Sequence, residues 1–203
     1  MKDLQIGYLL RSGTSGFVAG CPVSQLEAPS LGALIRTPLG PDDQVYGLIS
    51  DIHIEDDGLV RQLVTADNLN PEVVRDNRER RIVPVEMSVM TVGWNQAGKI
   101  WHLLPPRPPL SLDAIHLCDD DELVRFTSAG NFGYFRHVLR AADLPVGEVL
   151  AAHLQQAGRA HTSRGQADWL ATAVQELITL LRDDYPTLMS VLKTLGDAFP
   201  GEA

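Results

Sequence analysis

Asp43-Gln44-Val45-Tyr46-Gly47-Leu48-Ile49-Ser50-Asp51-Ile52-His53-Ile54-Glu55-Asp56-Asp57 decides the fold of this chain. It opens apolar and ends in strict alternation, with Ser50, Ile52 and Ile54 set against Asp51, His53 and Glu55. A period of two marks a strand with one dry and one wet face, the habit of an antiparallel sheet. Gly47 interrupts it where a bulge or sharp bend lets a strand curl round a small barrel. Asp56-Asp57-Gly58 then closes the strand in turn chemistry.

Outward from this strand the same pattern repeats. Residues 6–11 read as a strand, 12–16 as a turn, 17–21 as a second strand and 34–37 as a third, stopped by Pro38-Leu39-Gly40-Pro41. Residues 69–81 break the pattern, with Asn70-Pro71 as a helix start, and read as a helical excursion from the sheet. A strand resumes over 82–94 and pairs with 100–104 through Asn95-Gln96-Ala97-Gly98. Pro105-Pro106-Arg107-Pro108-Pro109 has no place in a central strand and marks the exit from the sheet as a stiff linker. Asp119-Asp120-Asp121-Glu122 then puts negative charge at a helix start, where the macrodipole favours it.

Beyond that point the period changes to about 3.6. Residues 132–142 and 146–157 read as short helices, and Ser163 with Gln166 as a capping box. Leu170, Ala173, Val174, Leu177, Ile178 and Leu181 form one stripe; Leu188, Val191, Leu192 and Leu195 form another after Pro186. The expected architecture is mainly β plus α: a small closed antiparallel β-barrel over 1–125, then an α-helical bundle over 126–203. A stripe such as Leu170, Val174, Leu177 and Leu181 must be buried, either inside the bundle or against a second subunit, so these residues are the candidate oligomer face of a homodimer.

Composition narrows the functional classes. Of 203 residues, 17 are Lys or Arg and 26 Asp or Glu, a net charge of −9. Such a surface repels polyphosphate, which argues against direct nucleic-acid binding, and aromatics at 6% are too sparse for the stacking platform of an OB-like single-strand binder. Cys21 and Cys118 make no metal spacing; they read as buried or free thiols in a reducing cytoplasm, with a disulfide between them as the alternative. No apolar run reaches the length of a membrane span, and the N-terminus lacks a signal peptide.

Four patterns invite chemistry. Gly93-Trp94-Asn95-Gln96-Ala97-Gly98-Lys99-Ile100 nearly spells a phosphate-binding P-loop, but Ile100 stands where the magnesium-holding hydroxyl belongs, and a strand rather than a helix follows. It reads as a hairpin turn. Asp51, His53 and Glu55 line one strand face with metal-ligand or acid–base chemistry, against the plainer reading of a solvated face. Arg75, Arg78, Arg80 and Arg81 form the one basic concentration, suited to an anion or an acidic partner, though Asp76 and Glu79 are interleaved. Ser12-Gly13-Thr14-Ser15-Gly16 is a hairpin loop before it is a phosphate cradle. The histidines are scattered and form no triad. No catalytic residue, cofactor or metal is assigned.

Ile6-Gly7, Gly16-Phe17-Val18-Ala19, Gly32-Ala33-Leu34-Ile35, the segment Val45 to Ile52, and Pro105-Pro106-Arg107-Pro108 before Ser111-Leu112 together resemble the HAS barrel. This is the small barrel shared by HerA-type DNA-translocating ATPases and rotary ATP synthase subunits. The resemblance covers about residues 4–125 and implies subunit assembly and partner docking. In HerA-type proteins an ATPase core follows the barrel; here the chain after Phe126 has no Walker motif, so no ATPase residue carries over. The expectation is a non-enzymatic cytoplasmic adaptor or assembly module, docking on an oligomeric ATPase or on copies of itself. The rival is a flavin- or nucleotide-binding barrel of a reductase-like enzyme.

Overall fold

The computed structural model describes residues 4–21, 29–54, 70–72, 75, 85–142 and 144–199. Seven strands lie among them: β1 (Leu4–Ser12), β2 (Gly16–Cys21), β3 (Leu34–Pro38), β4 (Gln44–Ile54), β5 (Val85–Gln96), β6 (Lys99–Trp101) and β7 (Ala114–Leu117). They run β2-β1-β7-β3-β4-β5-β6, every pairing antiparallel, and β2 also pairs with β5 from Gly16↔Met90 to Cys21↔Val85. That last ladder closes β1 to β5 and β7 into a six-stranded barrel, with β6 left as a hairpin arm on β5.

The opening stretch forms the long strand its pattern predicts. Val45 and Ile49 point into the lumen beside Ile6, Leu9, Phe17, Ile35, Met87, Val89 and Ile115, while Tyr46 and Leu48 point outward into a second core shared with the helices. The first half of β4 is therefore buried on both faces and reads as an unbroken apolar run. Past a register shift between Ile49 and Asp51 the expected alternation does not hold: Asp51 is exposed, Ile52 and His53 are both half-buried, and Ile54 ends exposed at the end of the strand. A second shift falls at Tyr46/Gly47, where the ladder jumps from Gly93 to Thr91. Gly47 faces the lumen there, and a Cβ on it would stand 2.4 Å from Val89 Cγ1.

Three expectations about the strands change. The chain does not leave the sheet for good at Pro105–Pro109: it returns as β7 between β1 and β3. Four residues, Ala114-Ile115-His116-Leu117, are too short for a period to show, and only barrel closure reveals them. The strand expected over 100–104 stops at Trp101, because the chain bends to turn His102 inward, and Leu103 and Leu104 end exposed. The strand expected from 82 is described from Val85 onward. Of the excursion expected near 69–81, Pro71, Glu72 and Arg75 are helical, and the rest lies outside the described residues.

Five α-helices follow: α1 (Asp120–Ser128), α2 (Phe135–Leu139), α3 (Val146–Ser163), α4 (Trp169–Leu180) and α5 (Tyr185–Ala198). The capping box is at α1 rather than at Ser163. Asp119 accepts from Glu122 N at 2.9 Å, and Glu122 reaches back to Asp119 N at 3.3 Å. Ser163 instead ends α3, which runs on past the expected stop at 157, and Ser163 Oγ donates to Ala160 O. The helix expected over 132–142 shrinks to α2, because Gly130, Asn131 and Phe132 all take positive φ and form a tight turn first. A boundary at residue 125 falls inside α1, and Phe126 packs its ring 4.9 Å from that of Tyr46. Barrel and helices thus share one core across the seam.

Candidate functional site

Three histidines that sequence leaves scattered meet at or near the barrel–helix seam. His153, on α3, is fully buried: its Nδ1 donates to Gly32 O at 3.0 Å and its Nε2 accepts from Tyr134 Oη at 3.1 Å. Gly32 sits at φ +72, and a Cβ there would stand 2.5 Å from His153 N, so the loop before β3 lies directly on the helix backbone. His102 Nε2 donates to Phe126 O at 3.1 Å, and the His102 carbonyl accepts from His137 and Arg136. His161 is held between Thr127 Oγ1 at 2.7 Å and Gln166 Oε1 at 2.5 Å, its ring stacked on Trp169 at 4.1 Å. Burial lowers the pKa of all three, to about 4 for His102 and His153, and raises that of Tyr134. His153 and His161 are engaged at both ring nitrogens and His102 at Nε2, so these imidazoles join elements of the fold.

On the wet face of β4, Asp51 and His53 do come together, with Asp51 Oδ2 3.2 Å from His53 Nδ1. Glu55 lies outside the described residues. In its place Glu86 of β5 approaches, its Oε2 3.8 Å from His53 Nε2 and 4.0 Å from Arg11. Sheet register, His53↔Glu86, makes that contact, and no spacing along the chain announces it. Each imidazole nitrogen thus faces a carboxylate. Among the described residues no group of three His, Cys, Asp or Glu is arranged to hold a metal.

Of the basic cluster, Arg75 is exposed, while Arg78, Arg80 and Arg81 lie outside the described residues. The near-P-loop is the β5–β6 hairpin: Trp94 pairs with Trp101, Ala97 and Gly98 turn at positive φ, and Lys99 Nζ rests 3.9 Å over the Trp101 ring. Cys21 and Cys118 are free thiols.

The helical stripes divide between two roles. Leu177 and Leu181 are buried within the chain, at 0% and 6% exposure, so they belong to its own core and are not available as an oligomer face. Leu170 and Val174 are half-buried and line a groove. Both α4 and α5 pack on α3, leaving between them a trough of about 930 Å³ walled by Leu170, Val174, Leu192, Leu195 and Phe199. Arg159 of α3 is its one charged lining residue. Sequence pattern marks Leu170 and Val174 but not Arg159 or Phe199, because the trough exists only once two helices straddle a third. No helix among the described residues is long and apolar enough to cross a membrane. No family model matches this chain, and no curated protein matches it.

Proposed function

We propose that the chain is a non-enzymatic adaptor or assembly module of the cytoplasm, a HAS-like barrel whose helical appendage docks on a protein partner. The observation that carries this reading is the trough on α3, α4 and α5, where Leu170, Val174, Leu192, Leu195 and Phe199 meet at the surface as an amphipathic groove. The barrel lumen is packed by Phe17, Ile35, Met87, Val89 and Ile115 and holds no space for a ligand inside it. The resemblance to HerA-type barrels names the first partner to test, an oligomeric HerA-type ATPase.

The purified chain is to be titrated with FMN, FAD and ATP, and separately mixed with a HerA-type hexamer from the same genome. Expected are an unchanged melting temperature with all three small molecules and co-elution with the hexamer that Leu170→Asp abolishes. A flavin-dependent rise in melting temperature, or ATP turnover that disappears in Lys99→Ala, would replace the adaptor with the reductase-like or nucleotide-binding reading.

A further inference from the structure

We infer that the trough, the open side of a three-helix cradle, takes one amphipathic α-helix of a protein partner, with a carboxylate of that helix paired to Arg159; this rests on the adaptor reading above. The spacing of the walls sets the shape of the occupant. α5 lines the trough with Leu192, Leu195, Gly196 and Phe199, a run of i, i+3, i+4 and i+7. α3 lines it with the same spacing from Gln155 to Ser163, and α4 with the turn before it does so from Ala167 to Gln175. Each wall is thus one helix face, roughly 12 Å long at the rise of an α-helix. α4 and α5 each pack on α3 but scarcely on one another, the cross-section of a helical bundle with one side open.

A helix is the element that suits such a place. The mid-helix N–H and C=O groups of the walls are spent within their own helices, so an extended peptide finds no backbone edge to pair with. A helix brings its own backbone bonds and needs only side-chain contact. Leu170, Val174, Leu192 and Phe199 are half-buried and gain cover from an apolar stripe at helical spacing. The walls also allow close approach. Gly196 has nothing within 4 Å of where a Cβ would stand, and Ala167 and Ala171 are exposed, so a fourth helix axis can come near.

Charge narrows which helix. Arg159 is the one charged residue lining the trough; it is exposed and has no ion pair among the described residues. Arg164, at the end of α3, is by contrast already paired with Asp121. Glu176 and Asp197 lie beside lining residues on the outer rims, yet neither lines the trough nor pairs with Arg159. A guanidinium at the edge of apolar surface, with no carboxylate of its own, selects a partner that supplies one. The chain's net charge of −9 repels a broadly acidic partner, so the fit is an apolar stripe with an acid on its flank rather than an acidic run.

A phage-displayed library of peptides of roughly 15 residues, about four helical turns, panned on the purified full chain, tests this, the enriched peptides being synthesised and titrated by fluorescence anisotropy. They are expected to carry apolar residues at i, i+3, i+4 and i+7 with an Asp or Glu beside them, and to gain helicity on binding. Gly196→Trp, which fills the trough, and Arg159→Glu should each weaken binding more than about tenfold. Exchanging the peptide's acid for Lys should restore binding to the Arg159→Glu chain. Both positions are exposed, so an unchanged circular dichroism spectrum and melting temperature certify the fold. No enrichment, enriched peptides without the helical period, affinity indifferent to Gly196→Trp, or a charge exchange that restores nothing each overturns the inference. So does self-association of the chain alone that Gly196→Trp abolishes, since a second copy then fills the trough. Co-elution with the hexamer in the absence of peptide binding removes the helix but leaves the adaptor reading standing.

Discussion

At the residue scale, the barrel depends on side chains that are missing. A Cβ on Gly7 would fall 2.2 Å from Gly20 O, and one on Gly47 2.4 Å from Val89 Cγ1. Gly7 faces backbone, which cannot step aside, and Gly47 faces the stiff Val89 side chain, with Met90 O at 3.0 Å behind it. Gly47→Val is expected to destabilise the fold by about 1–3 kcal/mol, and Gly7→Val by more, as read from denaturant midpoints. Equal midpoints for wild type and Gly47→Val would show that the lumen has slack the packing does not suggest. His153 sets a pH limit. Its folded pKa is depressed from 6.5 to about 4 by burial, so between those values the unfolded chain binds a proton that the folded chain refuses. The stability present above pH 6.5 is thus lost progressively as pH falls toward 4, by roughly 1–3 kcal/mol for this one residue. Melting temperature followed from pH 7 to 4.5 should fall less steeply in His153→Gln; an identical slope would remove His153 from the account.

At the scale of elements, one stripe on α4 serves two purposes according to turn. Leu177 and Leu181 close onto α3, while Leu170 and Val174 look into the trough. Leu177→Asp places an unpaired carboxylate in a fully buried site and is expected to cost several kcal/mol and unfold the helical region. Far-ultraviolet circular dichroism and sedimentation distinguish this from simple dissociation: a folded monomer with wild-type helicity would contradict the intrachain burial of Leu177. α1 is anchored from both ends of its first turn, by its own capping box and by Arg36 of β3, whose Nε lies 2.7 Å from Glu122 Oε1. The four acids at 119–122 are legible in the sequence as a helix start, but the arginine that meets them comes from a strand 86 positions earlier.

At the scale of the molecule, barrel and helices are not separable units. Tyr46, Leu48 and Val92 on the barrel's outer face are buried against Phe126, Tyr134 and Phe135, and the Tyr134–His153–Gly32 chain of hydrogen bonds crosses the same seam. Neither part can be exposed without stripping apolar surface from the other. Thermal unfolding is therefore expected as a single cooperative transition, with matching midpoints from near- and far-ultraviolet circular dichroism. Two resolved transitions would mean that the shared core contributes less than its burial implies.

Val45 to Ile54 was enough by itself to specify a long antiparallel strand with a bulge or bend at Gly47; that its first half is covered on both faces was not legible there. The helical periods after Asp119 were enough to specify a bundle. These properties are local, because a strand or helix records in its own spacing which of its faces is dry. Tertiary structure alone decided the rest. β7 became a strand because a gap between β1 and β3 needed filling, Glu86 met His53 through sheet register, and three histidines became structural joints through partners 19 to 121 residues away. The trough, too, is a property of no single helix: it is the space left when α4 and α5 both pack on α3 without closing over it, and no one-dimensional pattern encodes a space between elements.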